Sequence, residues 1–196
     1  AVLKKYDILM IADEVICGFG STGRMWGSQT FELNPDMISC AKSLSSAYIP
    51  ISALMISENI YQALVSQSEK HGLFGNGSTY GGHPVAAAVA LETINIYEER
   101  NIVEHVIDVS PHLQRGLRNF SDHQLVGEIR GIGLLGAIEF VSDKKTKKPF
   151  DTNLGVGNYF QEQAEKEGLI IRAIGDNIAI CPPLIIVKEE IDELLG

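Results

Sequence analysis

The sequence predicts an α/β fold, in which part of a large parallel-sheet domain precedes a smaller α+β domain. Continuous apolar runs at residues 8–12 and 37–41 are typical of strands buried on both faces of a parallel sheet. After Asn101 the pattern changes to an amphipathic helix, which short strands and glycine turns follow. We therefore expect a domain boundary near residue 100, with domains at residues 1–100 and 101–196.

The first domain is predicted to contain strands separated by loops and helices. Its strongest helix pattern begins at Pro84, because proline is favoured at the first helical position and an alanine-rich run follows it. A glycine-rich loop at residues 18–23 follows the first strand. The strands are expected at residues 8–12, 37–41 and 51–56, and the helices at residues 59–68 and 84–99.

The second domain is predicted to combine helices with short strands. Pro111 is expected to kink or divide the first of these helices. A hairpin is expected around Gly175, between strands that end at Arg172 and begin at Ile178. The helices are expected at residues 102–119, 153–167 and 188–195, and the strands within residues 128–141 and at residues 169–172 and 178–181.

The composition argues against several classes of function. The net charge of −9 disfavours nucleic acid as a partner, because phosphate binding needs clustered Lys and Arg. The basic run at residues 144–148 is expected to be a solvated turn. No run approaches the ~18 apolar residues of a membrane span. The spacing of histidine and cysteine does not match a metal site, so we expect neither a membrane nor a metal as partner.

The cysteines and the start of the chain suggest two further expectations. Cys17, Cys40 and Cys181 are odd in number and widely spaced, which predicts reduced thiols and a cytoplasmic location. The chain starts at Ala1 and reaches an apolar run within a few residues. Full domains rarely begin so abruptly, so we expect this sequence to be the C-terminal part of a longer parent protein.

An acid and an amine stand at the ends of two predicted strands. Asp13 follows the first apolar run and Lys42 follows the second. In a parallel sheet both would lie at the carboxyl edge, where α/β proteins bind ligands. This pair suits pyridoxal phosphate (PLP), in which lysine binds the aldehyde and an acid pairs with the ring nitrogen. A structural Asp–Lys ion pair at the strand ends explains the same spacing.

Two loops invite further hypotheses. Residues 78–84 place hydroxyl groups and glycines before a predicted helix, which suits a phosphate, although an ordinary N-cap and turn has the same pattern. Residues 18–23 match the dinucleotide fingerprint G-x-G-x-x-G. That motif must open a helix, and Pro35 and the residues that follow the loop form a poor one, so we reject nicotinamide dinucleotide binding.

Motifs along nearly the whole chain resemble those of the class III PLP-dependent aminotransferases. One motif, at residues 11–23, contains Asp13-Glu14-Val15 and the glycine-rich loop. A second motif runs from Pro35 through Lys42 to Pro50. Within this class, the sequences of these motifs are most similar to those of the ω-amino acid:pyruvate aminotransferases. Ser21 and Ala47 depart from the family, which often has Arg and Gly there. The segments that carry the resemblance are residues 11–23, 35–50, 79–84 and 172–183.

The resemblance implies PLP-dependent transferase fold type I and a role for each matching residue. Asp13 would pair with the pyridine nitrogen and Val15 would lie on the ring face. Lys42 would bind the cofactor and move the proton. Thr79 would bind the cofactor phosphate of a neighbouring subunit, which implies a homodimer. Arg172 would bind a substrate carboxylate.

The implied reaction is amino transfer between an amine or ω-amino acid and a keto acid such as pyruvate. Decarboxylation or aminomutase chemistry on the same scaffold would use the same Asp13 and Lys42. A different alternative is a non-catalytic fragment without cofactor, because the family's main phosphate loop and ring-stacking aromatic residue lie in the N-terminal half.

Overall fold

The computed structural model describes residues 2–196, which form two compact units. The first unit extends to Gly20 and resumes over Arg24–Asn101. The second contains Ser21–Gly23 and Ile102–Gly196. No helix among residues 2–196 combines the length and hydrophobicity that a membrane crossing requires.

The first unit contains a three-stranded sheet with the order β1-β2-β3. The first two strands are parallel and place Asp13 opposite Ser39, whereas the third strand is antiparallel to the second. The parallel pair directs the carboxyl ends of two strands to one edge of the sheet. In chain order the elements are α1 (Val2–Lys5), β1 (Ile11–Asp13), α2 (Gly27–Thr30), β2 (Met37–Cys40), β3 (Ala53–Ile56), α3 (Glu58–His71) and α4 (Pro84–Glu99).

The expectation of a doubly buried strand at residues 8–12 is wrong. Pairing begins only at Ile11, because the carboxylate of Asp36 accepts the backbone N–H of Met10 at 2.8 Å in place of a ladder carbonyl. Ile8, Leu9 and Ile11 are more than half exposed, at 53%, 58% and 59%. Burial on both faces requires a layer on each side, and the described residues leave these side chains uncovered.

The helix at Pro84 is confirmed, and the helix expected at residues 59–68 is longer than predicted. It continues to His71 because Gly72 follows it in the left-handed conformation, with φ +71°. Helix α4 contributes Ala90 and Tyr97 to a small core with Phe19 and Leu44. The Phe19 ring contacts Trp26 edge-on, with centroids 5.0 Å apart. This core joins the glycine-rich loop and the Lys42 turn to one helix.

The second unit contains an antiparallel sheet of four strands with the order β4-β5-β7-β6. Helix α5 lays one apolar stripe, Val106, Val109, Leu113 and Leu117, into its core. Pro111 lies inside α5 without dividing it, and this residue is exposed. The elements are α5 (Ile102–Asn119), β4 (Val126–Ile132), β5 (Leu135–Phe140), α6 (Val156–Lys166), β6 (Arg172–Ile174), β7 (Asn177–Ile180) and α7 (Lys188–Leu195).

The predicted hairpin is present, but its first strand begins at Arg172 and does not end there. The preceding residues terminate α6, since the backbone N–H of Leu169 donates to the carbonyl of Ala164 at 2.9 Å. Gly175 makes the turn with φ +59°. The carboxylate of Asp176 accepts the N–H of Gly157 at 3.1 Å and so ties the turn to α6.

Candidate active site

Asp13 and Lys42 lie at the same edge of the first sheet. Asp13 is the last residue of β1, and Lys42 comes two residues after the end of the parallel strand β2. Both side chains are exposed. Parallel strands bring their carboxyl ends together, so an acid and an amine face the solvent from neighbouring positions.

The Asp13 carboxylate is oriented by the backbone and not by Lys42. Its Oδ1 accepts the N–H of Val15 at 3.1 Å. In the described part of the chain, the ion pairs involve other residues and none joins Asp13 to Lys42. The structural ion pair considered from the sequence is therefore absent, which leaves both charged groups able to meet a ligand.

Lys42 begins a 3-10 helix, Lys42–Ser45, in a backbone conformation that few non-glycine residues adopt. Its φ is +43°, in the left-handed region. Ala47, with φ +63°, closes the turn by donating its N–H to the Lys42 carbonyl at 3.2 Å. Such conformations cost about 1–3 kcal/mol each and cluster at functional sites.

The surroundings of Lys42 hold this turn in place. Ser45 is 1% exposed and donates its hydroxyl to the Ile49 carbonyl at 2.6 Å. The Tyr97 hydroxyl of α4 donates to the Ser43 carbonyl at 3.2 Å. Burial raises the pKa of Tyr97, so its phenol stays protonated and remains a donor at neutral pH. Lys42 thus extends from an anchored turn.

Glu14 has a structural role that could not be inferred from the sequence pattern. It is 2% exposed, and its two carboxylate oxygens accept the backbone N–H groups of Gly27 and Ser28 at 2.8 and 2.6 Å. These N–H groups open α2, where a carboxylate is favourable. Two adjacent acids therefore differ in role: Glu14 fixes the loop, and Asp13 faces outward.

The glycine-rich loop is a packing element and not a dinucleotide fingerprint. A Cβ on Gly18 would lie 2.7 Å from the Glu14 carbonyl oxygen and 2.9 Å from the Trp26 ring. The loop opens no helix, because residues 15–26 form turns and bends until the four-residue α2 begins at Gly27. This agrees with the rejection of dinucleotide binding.

Thr79 is exposed in the turn that precedes α4. The turn is formed by a hydrogen bond from the Gly81 N–H to the Ser78 carbonyl at 2.9 Å. His83, the N-cap of α4, makes no side-chain capping bond. The first N–H groups of α4 therefore lack a side-chain acceptor from the N-cap, a setting that suits an anion.

Arg172 belongs to the second unit and is exposed at the start of β6. The carboxylate of Asp176, in the turn of the same hairpin, accepts the Gly157 N–H at 3.1 Å. Among residues 2–196 no ion pair or hydrogen bond involves the Arg172 guanidinium. Its neighbour across the sheet is Ala179, a small side chain that leaves room above the strand.

Solved structures share this fold over almost the whole chain. An omega transaminase from Pseudomonas jessenii in complex with PMP superposes with a TM-score of 0.96 and 48% identity, covering 99% of this chain and 43% of that chain. A transaminase solved with L-ala gives a TM-score of 0.96 and 48% identity, with 99% and 46% covered. The fold is that of the fold type I PLP-dependent transaminases.

Curated relatives agree in sequence. Gamma aminobutyrate transaminase 3, chloroplastic, from Solanum lycopersicum is 53% identical over 195 residues, which is 100% of this chain and 38% of the relative. A probable gamma-aminobutyrate transaminase 3, mitochondrial, from Oryza sativa subsp. indica is 51% identical, with 100% and 38% covered. The chain thus spans about two fifths of these relatives' length. A family model described as Aminotransferase class-III matches residues 1–196, and the chain belongs to that family.

Proposed function

We propose that the parent protein is an aminotransferase that exchanges an amino group between an amine or ω-amino acid and a keto acid such as pyruvate. The observation that carries this proposal is the pair at the sheet edge: Asp13 and Lys42 face solvent from neighbouring parallel strands without an ion pair between them. We also propose that residues 1–100 belong to the large cofactor-binding domain and residues 101–196 form the small domain.

The cofactor of class III aminotransferases is pyridoxal phosphate, and the exposed groups fit it chemically. When bound, it supplies an aldehyde that takes up amino groups and a ring that withdraws electrons from the reacting carbon. The Lys42 amine is the group for the aldehyde, and the Asp13 carboxylate is the group for the ring nitrogen. Val15, whose backbone N–H orients Asp13, would contact the ring face.

The anchored turn explains how Lys42 can serve two purposes. Lys42 would hold the cofactor aldehyde between turnovers, and its freed amine would accept the proton from the substrate Cα and deliver it to the former aldehyde carbon of the cofactor. Both uses need an amine held near one position, which the buried Ser45 and the Tyr97 hydrogen bond support. The Asp13 carboxylate would keep the ring nitrogen protonated.

Arg172 would bind the carboxylate of a keto acid or ω-amino acid. A guanidinium offers a planar fork that matches a carboxylate bidentately. The absence of a partner for Arg172 in the described chain, and the small Ala179 beside it, support this role. Simple amines lack a carboxylate and would not use it.

Assembly and location complete the proposal. Thr79, with the uncapped N–H groups of α4, would bind the cofactor phosphate of a second subunit, so the active protein would be a homodimer. The sequence favours a cytoplasmic location, whereas the relatives described above carry chloroplastic and mitochondrial names. Fractionation of cells with an antibody to the parent protein decides between these locations.

Product analysis tests the function directly. The parent protein, incubated with PLP, an ω-amino acid and pyruvate, should form alanine at a rate that Lys42→Ala abolishes while the fold persists. Carbon dioxide without alanine would indicate a decarboxylase, and an isomeric amino acid would indicate an aminomutase. Alanine formation by Lys42→Ala within tenfold of wild type would remove the assignment of Lys42.

A further inference from the structure

One face of the four-stranded sheet carries two arginines in the same cross-strand row. The pairing places Arg130 opposite Ala137, Ala137 opposite Ala179, and Ala179 opposite Arg172. Residues directly opposite each other share a face of the sheet. On this face, the arginines of the two edge strands β4 and β6 therefore lie on either side of two alanines, which belong to the central strands β5 and β7.

The next row on this face is acidic and polar. It pairs Glu128 with Glu139, Glu139 with Asn177, and Asn177 with Ile174. The opposite face holds the core residues Ile138 and Ile178. The carboxylate of Glu139 thus shares a solvent-facing surface with Arg172, in the adjacent row.

Arg130 binds this acidic row. Its Nη1 donates to Glu139 Oε2 in a short contact, and its Nη2 donates to Asn177 Oδ1 at 2.9 Å. Glu128 Oε1 lies 3.7 Å from the same Nη1. The hydrogen bond that Arg130 donates to Glu139 raises the pKa of Arg130, which favours the charged guanidinium.

Arg172 lies close enough to this row to attract the Glu139 carboxylate if Arg130 no longer held it. Glu139 lies two strands and two residues away, a Cα separation on the order of 12 Å from ordinary strand spacings. The two long side chains together can span much of that distance. At such a range an unpaired carboxylate would compete with a substrate carboxylate for Arg172.

We propose that Arg130 is a positioning residue for carboxylate recognition: by holding Glu139 and Asn177, it keeps Arg172 unpaired for the substrate. This proposal rests on the proposed substrate role of Arg172. It predicts a selective effect: removing Arg130 should weaken the binding of substrates that carry a carboxylate and leave the binding of other substrates unchanged.

The test uses the PLP-loaded parent protein with pyruvate and with an uncharged aldehyde as alternative acceptors. Arg130→Gln should raise KM for pyruvate about three- to five-fold, the effect of an exposed charge pair, and leave kcat and the aldehyde KM unchanged. The double variant Arg130→Gln/Glu139→Gln should restore the pyruvate KM, because no carboxylate is then released. The effect of Arg130→Gln should also shrink at high ionic strength.

Lys147→Gln is the matched control. It removes one cation that pairs with Glu128 on the far strand β4 and leaves the Arg130–Glu139 contact intact. Its pyruvate KM should stay within about twofold of wild type. Arg130→Met replaces Arg130→Gln if the glutamine variant does not accumulate as folded protein.

The outcomes separate this inference from the function on which it depends. Equal losses for both acceptors, an unchanged pyruvate KM, or a double variant that is not restored would each overturn the role of Arg130. If Arg172→Ala discriminates between the acceptors and Arg130→Gln does not, only the Arg130 inference fails. If Arg172→Ala affects both acceptors equally, the substrate role of Arg172 has failed first.

Discussion

The substitution Arg172→Ala should impair keto acids far more than uncharged acceptors. Arg172 is exposed at the start of β6, has no ion-pair partner among the described residues, and stands beside the small Ala179. A charge-assisted hydrogen bond contributes about 1.5–3 kcal/mol, which corresponds to roughly 10–150-fold in kcat/KM. An aldehyde without a carboxylate cannot make this bond, so its kcat/KM should change little.

The assay is steady-state amino transfer by the parent protein from one amine donor to pyruvate or to the aldehyde. The decrease in kcat/KM should be at least about tenfold larger for pyruvate than for the aldehyde. Arg118→Ala, which removes another exposed arginine from the last turn of α5, serves as control and should leave the ratio unchanged. Equal losses for both acceptors would show that Arg172 supports the fold or the cofactor site and does not recognise the substrate.

Further predictions concern the proposed cofactor-binding residues Asp13 and Thr79 and the turn that begins at Lys42. Asp13→Asn should slow the first half-reaction by several orders of magnitude, and an unchanged single-turnover rate would make Asp13 a purely structural residue. Thr79→Val should weaken PLP binding by about tenfold without abolishing it, as measured by equilibrium titration; a fully active monomer in light scattering would contradict the shared site. Ala47→Gly should stabilise the parent by about 0.5–1 kcal/mol in urea unfolding, because a left-handed alanine costs about 1–2 kcal/mol and glycine's greater chain entropy offsets part of that. A lower midpoint for Ala47→Gly would refute the strain inferred there.

Local patterns predicted the elements whose ends are set by nearby residues. Helix α4 begins at Pro84, and α7 spans Lys188–Leu195 as expected, because proline position and apolar periodicity are read within a few residues. The placement of Asp13 and Lys42 at one edge followed from two apolar runs and the rule for parallel strands.

Burial and backbone strain could not be read from the same patterns. The run at residues 8–12 has the composition of a buried strand, yet its exposure depends on which layers cover the sheet. Asp13 and Glu14 are adjacent acids, and only the position of α2 decides that Glu14 is the buried one. The positive φ of Lys42 occurs in a turn whose Ser43 carbonyl accepts the Tyr97 hydroxyl of α4, a contact between residues far apart in the chain.

Relations across the second sheet were also beyond sequence reasoning. The common row of Arg130 and Arg172 depends on strand order and register, which join residues far apart in the chain. The sequence supplied Arg172 as a candidate through a family resemblance and gave no indication of Arg130. A register is fixed by hydrophobic pairing over the whole sheet, so local periodicity contains little of it.

The central claim is that Lys42 carries the cofactor, and covalent labelling tests it most directly. The parent protein is incubated with PLP, reduced with borohydride and digested, and the peptides are mapped by mass spectrometry. The bond between PLP and a lysine amine absorbs visible light, and we predict that this absorbance disappears on reduction. One peptide, containing Lys42, should gain the mass of a pyridoxyl group. A pyridoxyl group on another lysine, with Lys42 unmodified, would contradict the account.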